Sequence, residues 1–253
     1  MSDMEKEIES CHKMNASTFN WSYKDIIVLP PSIEKLRNLK ILLLCQCNLR
    51  MPPTELCRFS ELEELNLENN QLTMLPTEFG SLKKLKVLSL SRNPISYLGN
   101  DFTLLLSLTK LFMDEVTMTY FPMEICELLN LELLSFSQNH INEIPDNIKL
   151  LINLKWLRLK DNNLENLPDG FICLVNLQSL DLSRNQLRHV PNCLHKMDHL
   201  STLLLPENKI TIIPDEMADL CLQKSKLDLR FNEIVKMPIE LMSMDHIYFQ
   251  NKK

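Results

Sequence analysis

The sequence predicts an α/β fold: one repeat solenoid, horseshoe-shaped, with a parallel concave β-sheet and short helical or irregular convex segments. Three observations carry this. Asn70, Asn93, Asn139, Asn162, Asn185 and Asn208 recur on multiples of 23 residues, and Asn232 follows after 24. Each closes a segment of the form LxxLxLxxNxL, clearest in LEELNLENNQL (62–72), LKWLRLKDNNL (154–164) and LQSLDLSRNQL (177–187). A second half, xxLPxxhxxLxx with h apolar, follows in TMLPTEFGSLKK (73–84) and ENLPDGFICLVN (165–176). Self-similarity at such a period marks stacked supersecondary units.

Each part of the repeat has a physical reading. In LxxLxL the second and third leucines alternate with outward residues, the two-residue period of a strand. One repeat cannot bury its leucines alone, so repeats stack and each strand pairs with the next. The asparagine stands where the chain leaves the strand, and its amide both donates and accepts, satisfying backbone groups the turn would leave buried. Leu-Pro suits an extended or turned segment, because proline fixes φ and offers no N–H. The pairs Phe79/Leu82, Ile148/Leu151 and Phe171/Leu174 close the core from the convex side on short helical turns. Strands from Phe19–Trp21 to Ile247–Phe249 make about ten or eleven units in a single solenoid over residues 16–253.

These motifs resemble the 23-residue leucine-rich repeats of the intracellular, Ras-associated and Scribble-like group, over residues 16–251. The resemblance implies a protein-binding scaffold in signalling, with partners such as small GTPases or phosphatase subunits.

The pattern breaks in places. Cys47 and Val116 stand at asparagine positions; a thiol is a weaker donor that partly substitutes, and valine bonds nothing. Gly99 replaces the usual proline, and Pro94 follows Asn93. Residues 94–122 are therefore either a soft seam or ordinary repeat degeneracy. Residues 1–15 form an N-terminal extension in which Met1, Met4, Ile8 and Cys11 recur at helical spacing, as a short capping helix or a disordered arm. The last strand, HIYFQNKK, stops without a second half, so either its lysines blunt the edge, a partner covers it, or the chain is a shortened form of a longer one.

Composition excludes several functions. Net charge is −6 with no basic run beyond Lys252-Lys253, so nucleic acid is not expected as a partner. Only three glycines occur, too far apart for a phosphate-cradling loop. No apolar run is long enough to span a membrane, and the acidic N-terminus lacks a secretory pattern. The eight cysteines, at 11, 45, 47, 57, 126, 173, 193 and 221, form neither a disulfide framework nor paired CxxC knuckles. They read as reduced thiols in a cytoplasmic or nuclear protein.

Chemistry is scarce. His195 and His199 form an HxxxH that would share a helix face, but the residues between them are Lys-Met-Asp and no third zinc ligand is evident. They read as solvent-facing convex histidines. Cys45 and Cys47 point different ways, and no nucleophile motif is present. The expectation is a non-enzyme without cofactor, metal or small-molecule substrate.

Recognition remains. With the leucines inward, the outward strand positions line the concave sheet. Leu133 and Trp156 are neighbours there, and Phe112 lies diagonal to Leu133. Lys110, Asp114, Arg158, Lys160 and Asp181 border them, a mixture typical of binding hot spots. The plainer reading is that large side chains cover the sheet and Arg158 pairs with Asp181. Ile41 and Leu43, beside Cys45, form a smaller apolar patch. The leading function is a scaffold or adaptor holding a protein on this face. The alternatives are a regulatory or targeting fragment of a larger protein, or a structural subunit of a cytoskeletal or ciliary assembly.

Overall fold

The computed structural model describes residues 2–50, 53–217, 226–242, 244 and 247–249. The chain divides into two compact units, Met1–Met118 and Thr119–Lys253. Cys221 and the lysines at 252 and 253 lie outside the described residues.

The first unit opens with helix α1 (Asp3–Lys13). Ser2 caps it: its hydroxyl accepts the Glu5 N–H at 3.2 Å, while the Glu5 carboxylate accepts the Ser2 N–H at 2.7 Å. This capping box satisfies two donors that a helix start leaves orphaned. Met4, Ile8 and Cys11 are buried, and Glu9 pairs with Lys35 at 3.0 Å. Five three-residue parallel strands follow, paired in chain order: β1 (Thr18–Asn20), β2 (Ile41–Leu43), β3 (Glu64–Asn66), β4 (Val87–Ser89) and β5 (Lys110–Phe112). The second unit has β6 (Leu133–Ser135), β7 (Trp156–Arg158), β8 (Ser179–Asp181), β9 (Thr202–Leu204), β10 (Lys226–Asp228) and β11 (Ile247–Tyr248), also parallel and in order.

Convex returns are single 3-10 turns, such as Asp146–Leu150 and Asp169–Cys173, with short α-turns at Met123–Cys126 and Ile239–Met242. A proline precedes most of them in extended backbone, for example Pro145 at φ −69°, ψ 149°. Gly99 adopts almost the same angles, φ −73°, ψ 156°, so this departure from the repeat leaves the backbone path unchanged. The tight turn corrects one expectation. The turn Asn192–Lys196 ends before His199, so His195 and His199 do not share a helix face; His195 is half-buried and His199 exposed.

The inward leucines are sealed: Leu42, Leu65, Leu88 and Leu111 in the first unit, and Leu134, Leu157, Leu180 and Leu203 in the second. Fully burying each such side chain contributes roughly 1.5–3 kcal/mol before entropy is charged against it. The convex pairs Phe79/Leu82, Ile148/Leu151 and Phe171/Leu174 are buried as well.

The asparagines bond as a repeated set. Asn185 donates to the Leu159 and Leu182 carbonyls at 2.9 and 3.1 Å and accepts the Leu164 N–H at 3.0 Å. Asn70, Asn93, Asn162, Asn208 and Asn232 make equivalent bonds, and Asn139, also buried, donates to the Ser137 carbonyl. A second set of ties, not anticipated from sequence, lies on the return turns. Ser81, Ser107, Asn153 and Asn176 each donate to the carbonyl 24 residues earlier, at Cys57, Lys83, Leu129 and Ile152.

Cys47 takes over part of the asparagine's work. Its thiol donates to the carbonyls of Trp21 (3.3 Å) and Cys45 (3.5 Å), the same offsets of 26 and 2 residues that Asn70 uses toward Leu44 and Glu68. The residue before each ladder position is left-handed, from Gln46 (φ 54°) to Phe231 (φ 58°), and none of them is glycine. Where the asparagine is missing, the residue after it is left-handed too: Asn48 (φ 61°) follows Cys47 and Thr117 (φ 64°) follows Val116. A β-branched residue there costs of order 1–3 kcal/mol. The turn without an amide is thus wound differently from the rest.

Candidate functional site

The outward strand positions hold the candidate residues, and each unit contributes its own group. In the second unit, Trp156 lies in register with Leu133 on β6 and Ser179 on β8. Arg158 lies between Ser135 and Asp181 in the same way. Period-2 alternation puts Trp156, Arg158 and Lys160 on one face while Leu157 and Leu159 enter the core. Trp156 is 39% exposed, and Arg158 and Lys160 are exposed beside it. On the β8 side, the indole's in-register neighbour is the small Ser179.

The expected Arg158–Asp181 pair does not form among the described residues. Asp181 instead turns back on its own strand end, where its Oδ1 accepts the Ser183 N–H at 2.9 Å and the Ser183 hydroxyl. An acid two residues from a backbone N–H and a hydroxyl meets them without immobilising a long guanidinium. The side chains of Arg158 and Lys160 consequently have no ion pair among the described residues.

In the first unit, Lys110 is exposed on β5 in register with Val87, and Phe112 is half-buried in register with Ser89. Asp114 is half-buried, and its backbone N–H donates to the Ser91 hydroxyl at 3.0 Å. Ile41 and Leu43 are half-buried on β2 between Thr18 and Asn20 on one side and Glu64 and Asn66 on the other, so the apolar pair is rimmed by polar residues.

A further group was not singled out from sequence. On β10, Asp228 is 3% exposed and is gripped by Arg230, with Nε to Oδ1 at 3.0 Å and Nη2 to Oδ2 at 2.7 Å. Arg230 and Lys226 both lie over the ring of Tyr248 on β11, at 5.6 and 6.0 Å. The signal was present in the outward rows, where Lys226, Asp228 and Arg230 alternate along one strand.

The buried and half-buried thiols of Cys45, Cys126 and Cys193 are poor nucleophiles. Burial pushes Cys126 and Cys193 up to about 12, and burial followed by the Glu68 charge raises Cys45. Among the described residues, no three His, Cys, Asp or Glu side chains come together to hold a metal ion. No helix there is long and apolar enough to cross a membrane.

A family model described as leucine rich repeat matches residues 37–95, 60–115 and 152–210, together more than half of the chain. The chain belongs to the leucine-rich-repeat family. No curated protein matches it significantly in sequence. Among solved structures, a leucine-rich-repeat protein of Leptospira interrogans is 26% identical at a TM-score of 0.84, covering 96% of this chain and 68% of that one. The functional domain of InlJ from Listeria monocytogenes, which includes a cysteine ladder, is 20% identical at a TM-score of 0.78, covering 99% of this chain and 50% of that one. The plant peptide hormone receptor RGFR1, in complex with RGF2, is 21% identical at a TM-score of 0.74, covering 94% and 40% respectively. This leucine-rich-repeat chain therefore spans half or less of the last two, and their likeness shows the fold alone. Leucine-rich-repeat folds generally serve as protein-interaction scaffolds and are typically non-catalytic.

Proposed function

We propose that this chain is a non-catalytic scaffold or adaptor that holds one protein partner on the outward face of its strands, within intracellular signalling in the cytoplasm or nucleus. The observation that carries this reading is Trp156: an indole 39% exposed on a strand, beside two cations without ion pairs among the described residues. Exposed tryptophan and arginine on a preformed surface are the residue types that dominate binding energy. The repeat pattern's likeness to the Ras-associated and Scribble-like group makes small GTPases and phosphatase subunits the first partners to try. The RGFR1 solenoid, held in complex with RGF2, supports polypeptide capture as a use of this architecture. Residues 16–253 act in this reading as a single binding solenoid.

The test compares partner capture by the wild-type chain and by Trp156→Ala/Arg158→Ala, using affinity purification with mass spectrometry. Circular dichroism checks that both fold. The folded variant is expected to lose its specific partners, since truncating a central anchor costs about 2 kcal/mol or more, roughly thirtyfold in affinity. An unchanged partner set would remove this face from consideration and move attention to Ile41 and Leu43.

A further inference from the structure

The outward face of the second unit carries two sets of cations, each beside an aromatic ring. On β7 these are Arg158 and Lys160 next to Trp156. On β10 and β11 they are Lys226 and Arg230 over Tyr248, whose ring is 44% exposed. Between the sets lie β8 and β9, where the outward residues Ser179, Ser183, Thr202 and Leu204 form a low floor. Three strand spacings, about 14 Å, separate β7 from β10.

The acids on this face are already engaged. Asp228 is buried against Arg230, and Asp181 accepts two hydrogen bonds from Ser183. Among the described residues, four bases thus face two acids, on a chain whose net charge is −6. Arg158, Lys160 and Lys226 are the cations left to meet a partner.

We propose that this face binds an acidic protein segment laid across the strands. Its carboxylates meet Arg158 and Lys160 at one end and Lys226 at the other, and an aromatic or aliphatic residue packs on Trp156. The inference rests on the scaffold reading above and adds the partner's chemistry to it. Charge complementarity of this kind fixes register and speeds encounter more than it adds affinity. A span of about 14 Å is matched by roughly four extended residues or nine to ten helical ones.

The probes are three fluorescein-labelled peptides sharing one central phenylalanine, flanked by Glu/Asp, by Gln/Asn or by Lys, and a single-stranded DNA oligonucleotide. Binding to the full chain is read by fluorescence anisotropy at low and high salt. The acidic peptide is expected to bind at least about tenfold more tightly than the neutral one and to weaken as salt screens the charges. Arg158→Glu/Lys160→Glu, checked for folding by circular dichroism, should invert the order in favour of the lysine peptide. Lys226→Glu should weaken the acidic peptide to a smaller degree. Equal binding of the neutral peptide, indifference to charge reversal, DNA binding as tight as the acidic peptide, or no binding of the acidic peptide would each overturn the proposal. Partner capture separates the two readings. If Trp156→Ala/Arg158→Ala loses partners while the acidic peptide does not bind, the scaffold stands and the acidic partner falls. If capture is unchanged, the scaffold reading itself falls.

Discussion

In the first unit the asparagine row is interrupted at Cys47 and Val116; in the second it runs from Asn139 through Asn232 without a gap. The outward faces differ as well. The first unit presents Glu64, Glu68 and Asp114 against Lys110, whereas the second presents Arg158, Lys160, Lys226 and Arg230 against Asp181 and Asp228. The inward leucines show no such difference, since both units bury them completely. Positions that must exclude water are therefore held to apolar residues, mostly leucine, with Phe19, Met113 and Phe136 buried in the same rows. The turn position tolerates exceptions by rewinding the backbone into a second left-handed residue, and the outward positions vary freely enough to carry opposite charge.

The sharpest test of that comparison moves the first unit's exception into the second. Asn185→Val removes donors from the Leu159 and Leu182 carbonyls and the acceptor for the Leu164 N–H, all buried. Each buried group left unpaired costs about 1–3 kcal/mol, so a loss near 3 kcal/mol is expected in urea denaturation after partial relaxation. A loss below about 1 kcal/mol would mean that the turn rewinds as readily there as at Val116, and the contrast between the units would vanish. The reverse change is smaller. Cys47→Asn replaces a thiol reaching the Trp21 carbonyl at 3.3 Å with an amide of similar volume, and a gain of about 1 kcal/mol is expected. Destabilisation would show that the left-handed Asn48 has committed this turn to the thiol.

Much of this was legible in the sequence, for a definite reason. A strict step of 23 residues puts equivalent side chains beside one another, so strand membership, register and the inward leucines follow from counting. The candidate face was legible as rows: Leu133, Trp156 and Ser179 do stand in register. What counting cannot reach is which polar partner a side chain chooses. Asp181 has Arg158 one strand away and Ser183 two residues away, and the local hydroxyl and N–H win because they demand less ordering. The left-handed row was equally hidden, because Gln46, Arg92 and Phe231 carry no local preference for that conformation; the stacked turn imposes it. The convex segments were read as helical, and the return at Asn192–Lys196 is a single 3-10 turn that ends before His199. Of the three glycines, Gly80 and Gly170 matter structurally for a reason no motif reveals: a Cβ would lie 2.1 Å from the Asp101 carbonyl oxygen at the first and 2.6 Å from the Asp146 carbonyl oxygen at the second.

The smallest effect distinguishes how each unit holds one surface carboxylate, half-buried Glu63 in the first and exposed Asp146 in the second. In the first, hydrogen bonds from Lys86 and then Lys40 hold Glu63 below the ordinary carboxylate range. In the second, Asp146 is held low by Lys149 and then by the Gly170 N–H at 2.8 Å. A pKa depressed in the folded state favours folding above the unfolded value, near 4, and that contribution disappears as pH falls through the folded value. Wild-type stability minus that of Glu63→Gln, and likewise of Asp146→Asn, should therefore shrink from about pH 4 downward. Salt separates the two. Exposed ammonium–carboxylate pairs are screened, whereas the backbone N–H that Gly170 offers is a fixed short contact. At neutral pH and high salt, the Glu63 difference should fade while part of the Asp146 difference persists. Equal fading would show that Lys149 alone holds Asp146, and that the two units secure their surfaces in the same way.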